Sequence, residues 1–379
     1  METVKGFKDF LGKDAEKFAF IREIARQTFE KYNFQEVQTP VVEYEKFVKG
    51  DNTNDEAVSD IFRLQDKGKR ELALRYEFTF QLKRIAINQK LPFKRFQIGP
   101  VFRDEPVSEN RVRQLTQCDI DTIGATIKDE AEILAVIKEV LDALKIKSII
   151  YVNNRKLLNE ILEEQGVKEK EQVIREIDKL DKLSSEEINK NLQQYNAQDV
   201  LKIFQKPEEY FKKYKAYEEI EELKRYCKLY GFEIKFQPSL ARGLSYYTGN
   251  VFEVKSTIKE TICGGGTYLI GENVSSGISF SIERLMAVVN LLMKIDKTLI
   301  VSLNQDEKAI SLSKQLRKKD QNTSVYFGKP SKALEYANSY GFNQVIFVGE
   351  KEVEQKKFKI KNLTTGKEVT LIIEKKKKN

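Results

Sequence analysis

Two charged segments that follow each other closely constrain this chain more than any other feature. The first is Phe102-Arg103-Asp104-Glu105, and the second runs from Arg111 to Asp121 as RVRQLTQCDID. This pattern predicts a strand, a polar loop and a returning strand. Because side chains alternate along a strand, one face of the second strand holds polar groups and the other is mostly apolar. The polar face holds Arg113, Gln117, Asp119 and Asp121, and the opposite face holds Thr116, Cys118 and Ile120. Taken alone, the pattern fits a solvated hairpin, so its interpretation depends on the rest of the chain.

The chain contains no histidine, which removes whole classes of chemistry. Serine–histidine and cysteine–histidine nucleophile pairs are excluded, and so is the commonest general acid and base. Cys118, Cys227 and Cys263 lie far apart without CxxC spacing, which argues against a disulfide framework and a thiolate zinc site. Catalysis must therefore use arginine, carboxylates, tyrosine and a divalent ion for positioning and charge stabilisation.

Charge and hydropathy indicate the kind of partner and the compartment. Sixty-six Lys and Arg against 58 Asp and Glu leave a net charge of +8, which favours a polyanionic partner. No segment approaches the roughly 20 consecutive apolar residues of a membrane span, and the N-terminus has no apolar signal core. We therefore expect a cytoplasmic protein without a membrane partner.

Periodicity along the first 155 residues predicts a mixture of helices and strands. An apolar stripe at helical spacing predicts a helix over Asp14 to Tyr32, and Pro40 marks the edge or end of the strand that follows. The segment Glu71 to Thr79 places Arg75, Glu77 and Thr79 together if its backbone stays extended. A long helix is predicted through Ile133, Ile137 and Leu141.

Changes of composition divide the chain into four parts. Residues 1–155 and 231–295 form two parts of one domain, and the Lys-, Glu-, Asn- and Gln-rich residues 156–230 form a helical insertion between them. In the second part, the glycines at 264–266 either bring the backbone close to a ligand or make a turn, and a strand gives way to a helix near Arg284. Residues 296–379 alternate short apolar runs with helical stretches, which predicts a small parallel α/β domain.

Three of these segments resemble the motifs of the class II aminoacyl-tRNA synthetases. The first motif contains a proline, matched by Thr39-Pro40, and the second has the form FRxE, matched by Phe102 to Glu105. The third is a glycine-containing strand that ends in Glu-Arg, matched by Gly277 to Arg284.

Two further peptides resemble the histidyl family in particular. They are Ala241-Arg242-Gly243-Leu244-Ser245-Tyr246-Tyr247 and Cys263-Gly264-Gly265-Gly266-Thr267-Tyr268. The family usually has aspartate where this chain has Ser245, and Arg-Tyr-Asp where it has Thr267-Tyr268-Leu269. These departures remove charges near the expected pocket.

The resemblance implies an α+β protein. A class II catalytic domain on an antiparallel sheet would carry the helical insertion and a C-terminal α/β anticodon-binding domain. The implied function is ATP-dependent activation of L-histidine and its transfer to tRNA(His), which is the AMP- and diphosphate-forming histidine–tRNA ligase reaction. ATP is then a substrate, Mg²⁺ assists, and the family precedent suggests a homodimer.

The resemblance also implies roles for individual residues. Arg103 and Arg242 are the expected catalytic residues: Arg103 grips the α-phosphate and the substrate carboxylate, and Arg242 stabilises the transition-state charge. The expected ATP-binding residues are Arg103, Glu105, Arg113 and Arg284. The expected histidine-binding residues are Glu77, Phe78, Thr79, Arg103, Gln117, Asp121, Arg242, Tyr246 and Tyr247. Asp121 and one of the two tyrosines would bind the imidazole, and no residue is assigned as a metal ligand.

Two alternatives remain open at this point. The chain could be a histidine-binding regulatory paralogue of ATP phosphoribosyltransferase, although such paralogues usually lack the anticodon-binding domain. It could instead be a catalytically silent tRNA-binding paralogue, which the departures at Ser245 and Thr267 support.

Overall fold

The computed structural model describes residues 2–50, 60–108, 112–181, 183–242, 246–290 and 296–372. It contains two compact units, Met1–Leu291 and Leu292–Asn379. Several residues named above lie outside the described ones: Arg111, Gly243, Leu244 and Ser245.

The described part of the first unit is built on an eight-stranded sheet in the order β1-β5-β6-β11-β10-β9-β7-β8. Neighbouring strands are antiparallel except the outer pairs, β1 with β5 and β7 with β8. The strands are β1 Gln35–Glu36, β5 Phe93–Phe102, β6 Gln114–Ile123, β7 Ile149–Asn154, β8 Lys235–Phe236, β9 Tyr247–Lys255, β10 Cys263–Ile270 and β11 Asn273–Ser281. The predicted strand, loop and returning strand are thus β5 and β6, the central hairpin.

Helices cover one face of this sheet. The capping box of Thr126 and Asp129 begins α4 (Ile127–Ala143), because the Asp129 carboxylate accepts from the Thr126 backbone N–H at 2.8 Å. Its stripe at Ile133, Ile137 and Leu141 is buried in the main core with Cys118 and Ile120 of β6. The predicted N-terminal helix is α1 (Gly12–Lys31), which contributes Ile21, Ala25 and Phe29 to the same core.

A small sheet of three described strands, β2-β4-β3, lies between these elements in the chain. Its strands are β2 Val42–Tyr44, β3 Arg63–Gln65 and β4 Glu71–Leu74, with the short helices α2 (Glu45–Lys49) and α3 (Thr79–Ile85) beside them. The expectation that Arg75, Glu77 and Thr79 share one strand face is wrong. The strand ends at Leu74 and Thr79 is the first residue of α3, because Arg75 turns inward and donates to the backbone carbonyls of Thr39 and Pro100.

The region between β7 and β8 is helical, as the composition indicates. Its helices are α5 Arg155–Glu164, α6 Lys170–Asp178, α7 Ser185–Gln193, α8 Val200–Ile203 and α9 Tyr217–Leu229. The first four surround a core of their own, with members such as Leu158, Ile174 and Leu192. In contrast, α9 buries Ile220 and Leu223 in the main core. Leu157 and Ile161 of α5 are buried in the main core as well, so both ends of the helical region pack against the first unit's main core. The exact limits of the insertion stay a prediction.

In β11 the third motif passes directly into a helix. The Ser281 hydroxyl caps α10 (Ile282–Val288) by accepting from the Arg284 backbone N–H at 3.2 Å. Arg284 thus occupies the strand-to-helix junction that the sequence indicates. The glycine triplet forms no turn, because all three residues lie within β10.

The second unit has a five-stranded sheet of described residues in the order β13-β12-β14-β15-β16. Its elements are β12 Lys297–Ser302, α11 Asp306–Arg317, β13 Asn322–Phe327, α12 Pro330–Ser339, β14 Gln344–Val348, α13 Glu350–Gln355, β15 Lys357–Asn362 and β16 Glu368–Ile372. The first three strands of that order are parallel, and β15 and β16 add antiparallel. The expected parallel sheet is therefore mixed: β15 pairs antiparallel with β14, and the short turn at Gly366 permits only antiparallel pairing of β16 with β15.

Among the described residues, no helix combines the length and the apolar character that a membrane crossing requires.

Candidate active site

A cavity of ≈ 310 Å³ opens beside α2, α3 and the start of β9. Three of the residues expected to bind histidine line it: Glu77, Thr79 and Tyr246. Tyr268 and Leu269 of β10 line the opposite side, and Lys46, Lys49 and Lys83 are also among its lining residues. The cavity therefore combines carboxylate, hydroxyl and phenol groups with apolar walls, as small-molecule sites usually do.

Arg103 lies at the end of β5 and is held by the protein backbone on two sides. Its Nε donates to the Tyr76 carbonyl at 3.1 Å, and its own backbone N–H donates to the Arg113 carbonyl at 2.8 Å. One terminal nitrogen, Nη2, donates to Gln117 Oε1 at 3.4 Å. Arg103 and Gln117 thus come together as expected, although neither lines the cavity itself.

Asp121 takes part in a buried arrangement that the motifs do not indicate. Its cross-strand neighbour on β5 is Arg95, and the Arg95 Nη2 to Asp121 Oδ2 distance is 2.5 Å with both side chains almost fully buried. The Tyr268 hydroxyl donates to the other carboxylate oxygen. Burial raises the pKa of Asp121, and the Arg95 charge and the Tyr268 hydrogen bond oppose that shift. Asp121 therefore reaches the cavity through Tyr268, which lines it.

Glycines make the space that these charged side chains occupy. A Cβ on Gly277 would lie 2.0 Å from Asp121 Oδ1, and a Cβ on Gly264 would lie 2.6 Å from Arg242 Nη2. A Cβ on Gly265 would meet the Gly277 carbonyl at 2.1 Å. The glycine triplet thus gives room to neighbouring side chains and backbone, and the close approach of its backbone to a ligand stays a prediction.

The two adjacent tyrosines differ in position. Tyr246 precedes β9, lines the cavity and lies 3.4 Å from Glu77 Oε2 through its hydroxyl. Tyr247 begins β9, and its ring packs 4.7 Å from the Tyr246 ring without lining the cavity. Burial raises the pKa of Tyr246 well above its ordinary value, so its hydroxyl stays protonated. The resemblance implies that one of the two tyrosines binds the imidazole, and of the two only Tyr246 lines the cavity.

Arg242 and Arg284 are linked through one carboxylate and one threonine. Arg242 Nη1 donates to Glu253 Oε1 at 2.7 Å, and the Thr261 hydroxyl donates to Glu253 Oε2 at 3.1 Å. The Thr261 carbonyl in turn accepts from Arg284 Nη1 at 2.9 Å. Arg242, expected to stabilise the transition-state charge, and Arg284, expected to bind ATP, are thus linked through Thr261 and the buried Glu253 on β9.

The loop after β5 places the remaining ATP candidates. Arg113 donates from Nε to the Glu105 carbonyl at 3.1 Å, and its Nη2 lies 3.1 Å from Asp104 Oδ1. Its backbone N–H donates to the Gly6 carbonyl at 2.9 Å. Gly6 has a φ of 88°, and a Cβ there would lie 2.8 Å from Arg113 Cγ. The N-terminal segment therefore holds the Arg113 side chain against this loop.

Phe78 and Thr267 do not line the cavity, although the sequence places both near the pocket. Phe78 is fully buried under the Arg75 guanidinium, which lies 4.7 Å from its ring centroid, and does not line the cavity. Thr267, the departure expected to remove a charge near the pocket, points away from the cavity. Its hydroxyl donates to Glu130 Oε1 at 2.6 Å, and only Leu269 of that departure is among the lining residues.

Sequence reasoning missed three residues of this site: Arg95, Tyr268 and Glu253. Arg95 is fully buried within the strand FKRFQIGPVF, where a charged side chain needs a partner. The partner can be named only when the register of β5 and β6 is known. The motifs did identify the cross-strand neighbours of both other residues: Tyr247 pairs with Tyr268, and Gly264 pairs with Glu253.

The antiparallel sheet, the three sequence motifs that it carries and the α/β fold of the second unit define a class II aminoacyl-tRNA synthetase. A family model described as histidyl-tRNA synthetase matches residues 6–285, and one described as anticodon binding domain matches residues 287–378. The chain belongs to the histidyl-tRNA synthetase family.

Relatives and solved structures agree with this assignment over nearly the whole chain. Histidine–tRNA ligase 1 of Bacillus cereus is 31% identical over 416 residues, which cover 98% of each protein. Histidine–tRNA ligase of Wolinella succinogenes is 34% identical, over 96% of this chain and 94% of that protein. The crystal structure of histidyl-tRNA synthetase from Nostoc sp. PCC 7120 superimposes with a TM-score of 0.85 at 23% identity, covering 98% and 96% of the two chains.

Proposed function

We propose that this chain activates L-histidine with ATP and transfers the histidyl group to tRNA(His). The observation that carries this proposal is the position of Arg103. Arg103 lies beside the loop that holds the ATP-binding candidates Glu105 and Arg113. Its guanidinium donates to Gln117 Oε1 and to the backbone carbonyl of Tyr76, which lines the cavity. A substrate in the cavity could thus present its carboxylate to the same guanidinium that holds a phosphate.

The reaction needs positioning and charge stabilisation and no proton relay. The carboxylate of histidine attacks the α-phosphorus of ATP, diphosphate leaves, and the ribose of tRNA then takes the histidyl group and releases AMP. We assign Arg103 to the substrate carboxylate and α-phosphate, Arg242 to the charge that develops in the transition state, and Arg284 to the γ-phosphate end. Preorganised cations do this work without reorganisation at the moment of reaction, which suits a chain without histidine.

The cavity suits the amino acid. We assign Glu77, Thr79 and Gln117 to the α-ammonium. We assign Tyr246 and Asp121 to the imidazole ring, and Asp121 is hydrogen-bonded to Tyr268, which lines the cavity. Neutral imidazole offers one donor and one acceptor, and a wrong side chain would leave buried polar groups unpaired. A pocket of this kind can discriminate by roughly 10⁴-fold without editing.

Mg²⁺ is the divalent ion that fits the donors at the ATP end. It is usually bound there by one or two carboxylates together with phosphate oxygens and water, and Glu105 offers a carboxylate in the loop that also contains Arg103. When bound, the ion would neutralise charge on the phosphates.

Homodimer formation and a cytoplasmic location are also part of this proposal. The edge strand β1 and the exposed side chains of Val42 and Tyr44, which follow Pro40, offer an edge that a second copy could cover. The two alternative functions, a regulatory paralogue of ATP phosphoribosyltransferase and a catalytically silent tRNA-binding paralogue, are less favoured. The relatives named above, which match this chain over nearly its whole length, are histidine–tRNA ligases.

Exchange of labelled diphosphate into ATP tests the proposal directly. We expect exchange that depends on L-histidine and charging of tRNA(His) by the same preparation. Charging should weaken as salt is added, because phosphate contacts release counterions. Retention of tRNA binding without exchange would identify a silent binder, and histidine binding without exchange or tRNA binding would identify a regulatory protein.

A further inference from the structure

The amide of Gln117 is held between two groups that each allow only one orientation. Its Nε2 donates to Asp119 Oδ2 at 3.0 Å, and its Oε1 accepts from Arg103 Nη2 at 3.4 Å. A carboxylate accepts hydrogen bonds and a guanidinium only donates them. The pair therefore defines which end of the amide faces Arg103.

We propose that Asp119 is a positioning residue for histidine activation, which holds the Gln117 amide so that Oε1 faces Arg103 and the α-ammonium of the substrate. This proposal rests on the proposed function, in which Gln117 contacts that ammonium. An ammonium has donors and no acceptor, so it requires an oxygen at this place. A rotated amide would instead direct its NH₂ at two cations.

The surroundings of Asp119 fit a positioning role better than a packing role. Its side chain is almost completely buried in the middle of β6, where a carboxylate is costly unless it is paired. Gln97 of β5 and Ser279 of β11 are its cross-strand neighbours, so its backbone is fixed on both sides. Burial raises the pKa of Asp119 well above its ordinary value; the Arg95 charge and the Gln117 hydrogen bond oppose this shift, the Asp121 and Glu77 charges add to it, and Arg75 is a further charged group that acts on Asp119.

Reversing the polarity of this hydrogen bond provides a sharp test. The four proteins are the parent, Gln117→Glu, Asp119→Asn and the double variant. Gln117→Glu faces Asp119 with a second carboxylate, so the KM for histidine should rise roughly ten- to a hundredfold. In the double variant the asparagine donates to the glutamate, which still offers an oxygen to Arg103. We expect its KM for histidine to return to within about fivefold of the parent, with the KM for ATP nearly constant throughout.

A second measurement covers the case in which Gln117→Glu does not fold. Asp119→Ala frees the amide to rotate, so inhibition by L-histidinol, which keeps the ammonium, should weaken roughly tenfold. Inhibition by imidazole propionate, which lacks the amino group, should not change. Thermal melting of each variant reports folding separately.

The proposal is overturned if the double variant shows the sum of the two single defects. It is also overturned if Asp119→Ala weakens both inhibitors equally. A parent protein without histidine-dependent exchange would instead overturn the proposed function, so the two failures are distinguishable.

Discussion

At the scale of single residues, Arg242 is the side chain whose removal should affect chemistry most. Loss of one preorganised donor to a developing charge typically costs about 3 kcal/mol in barrier. We expect Arg242→Ala to lower kcat for histidine-dependent exchange by roughly a hundredfold. Arg225→Ala, at an exposed arginine that lies 3.7 Å from Glu222, is the matched control and should behave as the parent. An Arg242→Ala protein that melts like the parent and exchanges within fivefold of it would contradict the assignment.

Substitution of Gly277 tests whether the buried pair of Arg95 and Asp121 supports histidine binding. A methyl group there would lie 2.0 Å from Asp121 Oδ1, so the carboxylate must move away from Arg95 and Tyr268. We expect Gly277→Ala to lower the melting temperature and to raise the KM for histidine. Gly68→Ala is the control, since its nearest contact is Asp66 Oδ1 at 3.3 Å on an exposed turn. Unchanged histidine kinetics in Gly277→Ala would show that Asp121 does not act on the pocket.

At the scale of elements, Glu130 connects α4 to β9 and β10. It accepts from Asn250 Nδ2 at 2.7 Å and from the Thr267 hydroxyl, and both of these partners are neutral. Burial raises its pKa from 4.5 to about 7, although those two hydrogen bonds act in the opposite direction. The Thr267 hydroxyl is thus paired with Glu130, and Thr267 does not line the cavity.

The raised pKa of Glu130 predicts a pH dependence of stability. Because the folded state binds the proton more tightly, the contribution of Glu130 is fully present below about pH 4.5 and is lost as pH rises through about 7. The loss amounts to at most about 3 kcal/mol. Glu130→Gln cannot ionise, so its free energy of unfolding should fall less than that of the parent between pH 5 and 8. Glu139→Gln, at an exposed position of the same helix, should follow the parent. Parallel curves for Glu130→Gln and the parent in urea titrations would exclude this role.

The helices and strands also show which features of the fold the sequence patterns predict and which they do not. Helix α1 follows from a period of 3.6, because it buries one stripe, and the β5–β6 hairpin follows from the alternation of polar and apolar residues. The burial of both faces of β6 between Gln117 and Ile123 does not follow from that alternation. The irregular turn from Leu74 to Thr79 could not be predicted, since it depends on carbonyls of Thr39 and Pro100 that are distant in sequence. The pairing of Arg95 with Asp121 was hidden for the same reason, as it requires the strand register. Motif resemblance located Arg103, Arg242 and Arg284, and the structure adds that Glu253 and Thr261 tie two of them together.

At the scale of the whole molecule, the two units should serve different steps. Every group that we assign to adenylate formation lies in the first unit, whereas the second matches the anticodon-binding family. The second unit has an aromatic patch formed by Tyr326, Tyr336 and Tyr340, with ring centroids 5.3 and 4.5 Å apart. Tyr340 is 63% exposed, and unpaired RNA bases stack on such rings for roughly 1–3 kcal/mol each.

Removing the aromatic patch should therefore separate charging from activation. We expect Tyr336→Ala with Tyr340→Ala to raise the KM for tRNA(His) in charging by roughly ten- to a hundredfold, because up to two stacking platforms are lost. Diphosphate exchange needs no tRNA and should keep the kcat and the histidine KM of the parent. Tyr230→Ala, which removes an exposed tyrosine of the first unit, controls for the loss of surface aromatic area. If the double variant charges tRNA like the parent, base recognition lies elsewhere on the second unit, and if exchange falls with charging, the two steps are not divided between the units.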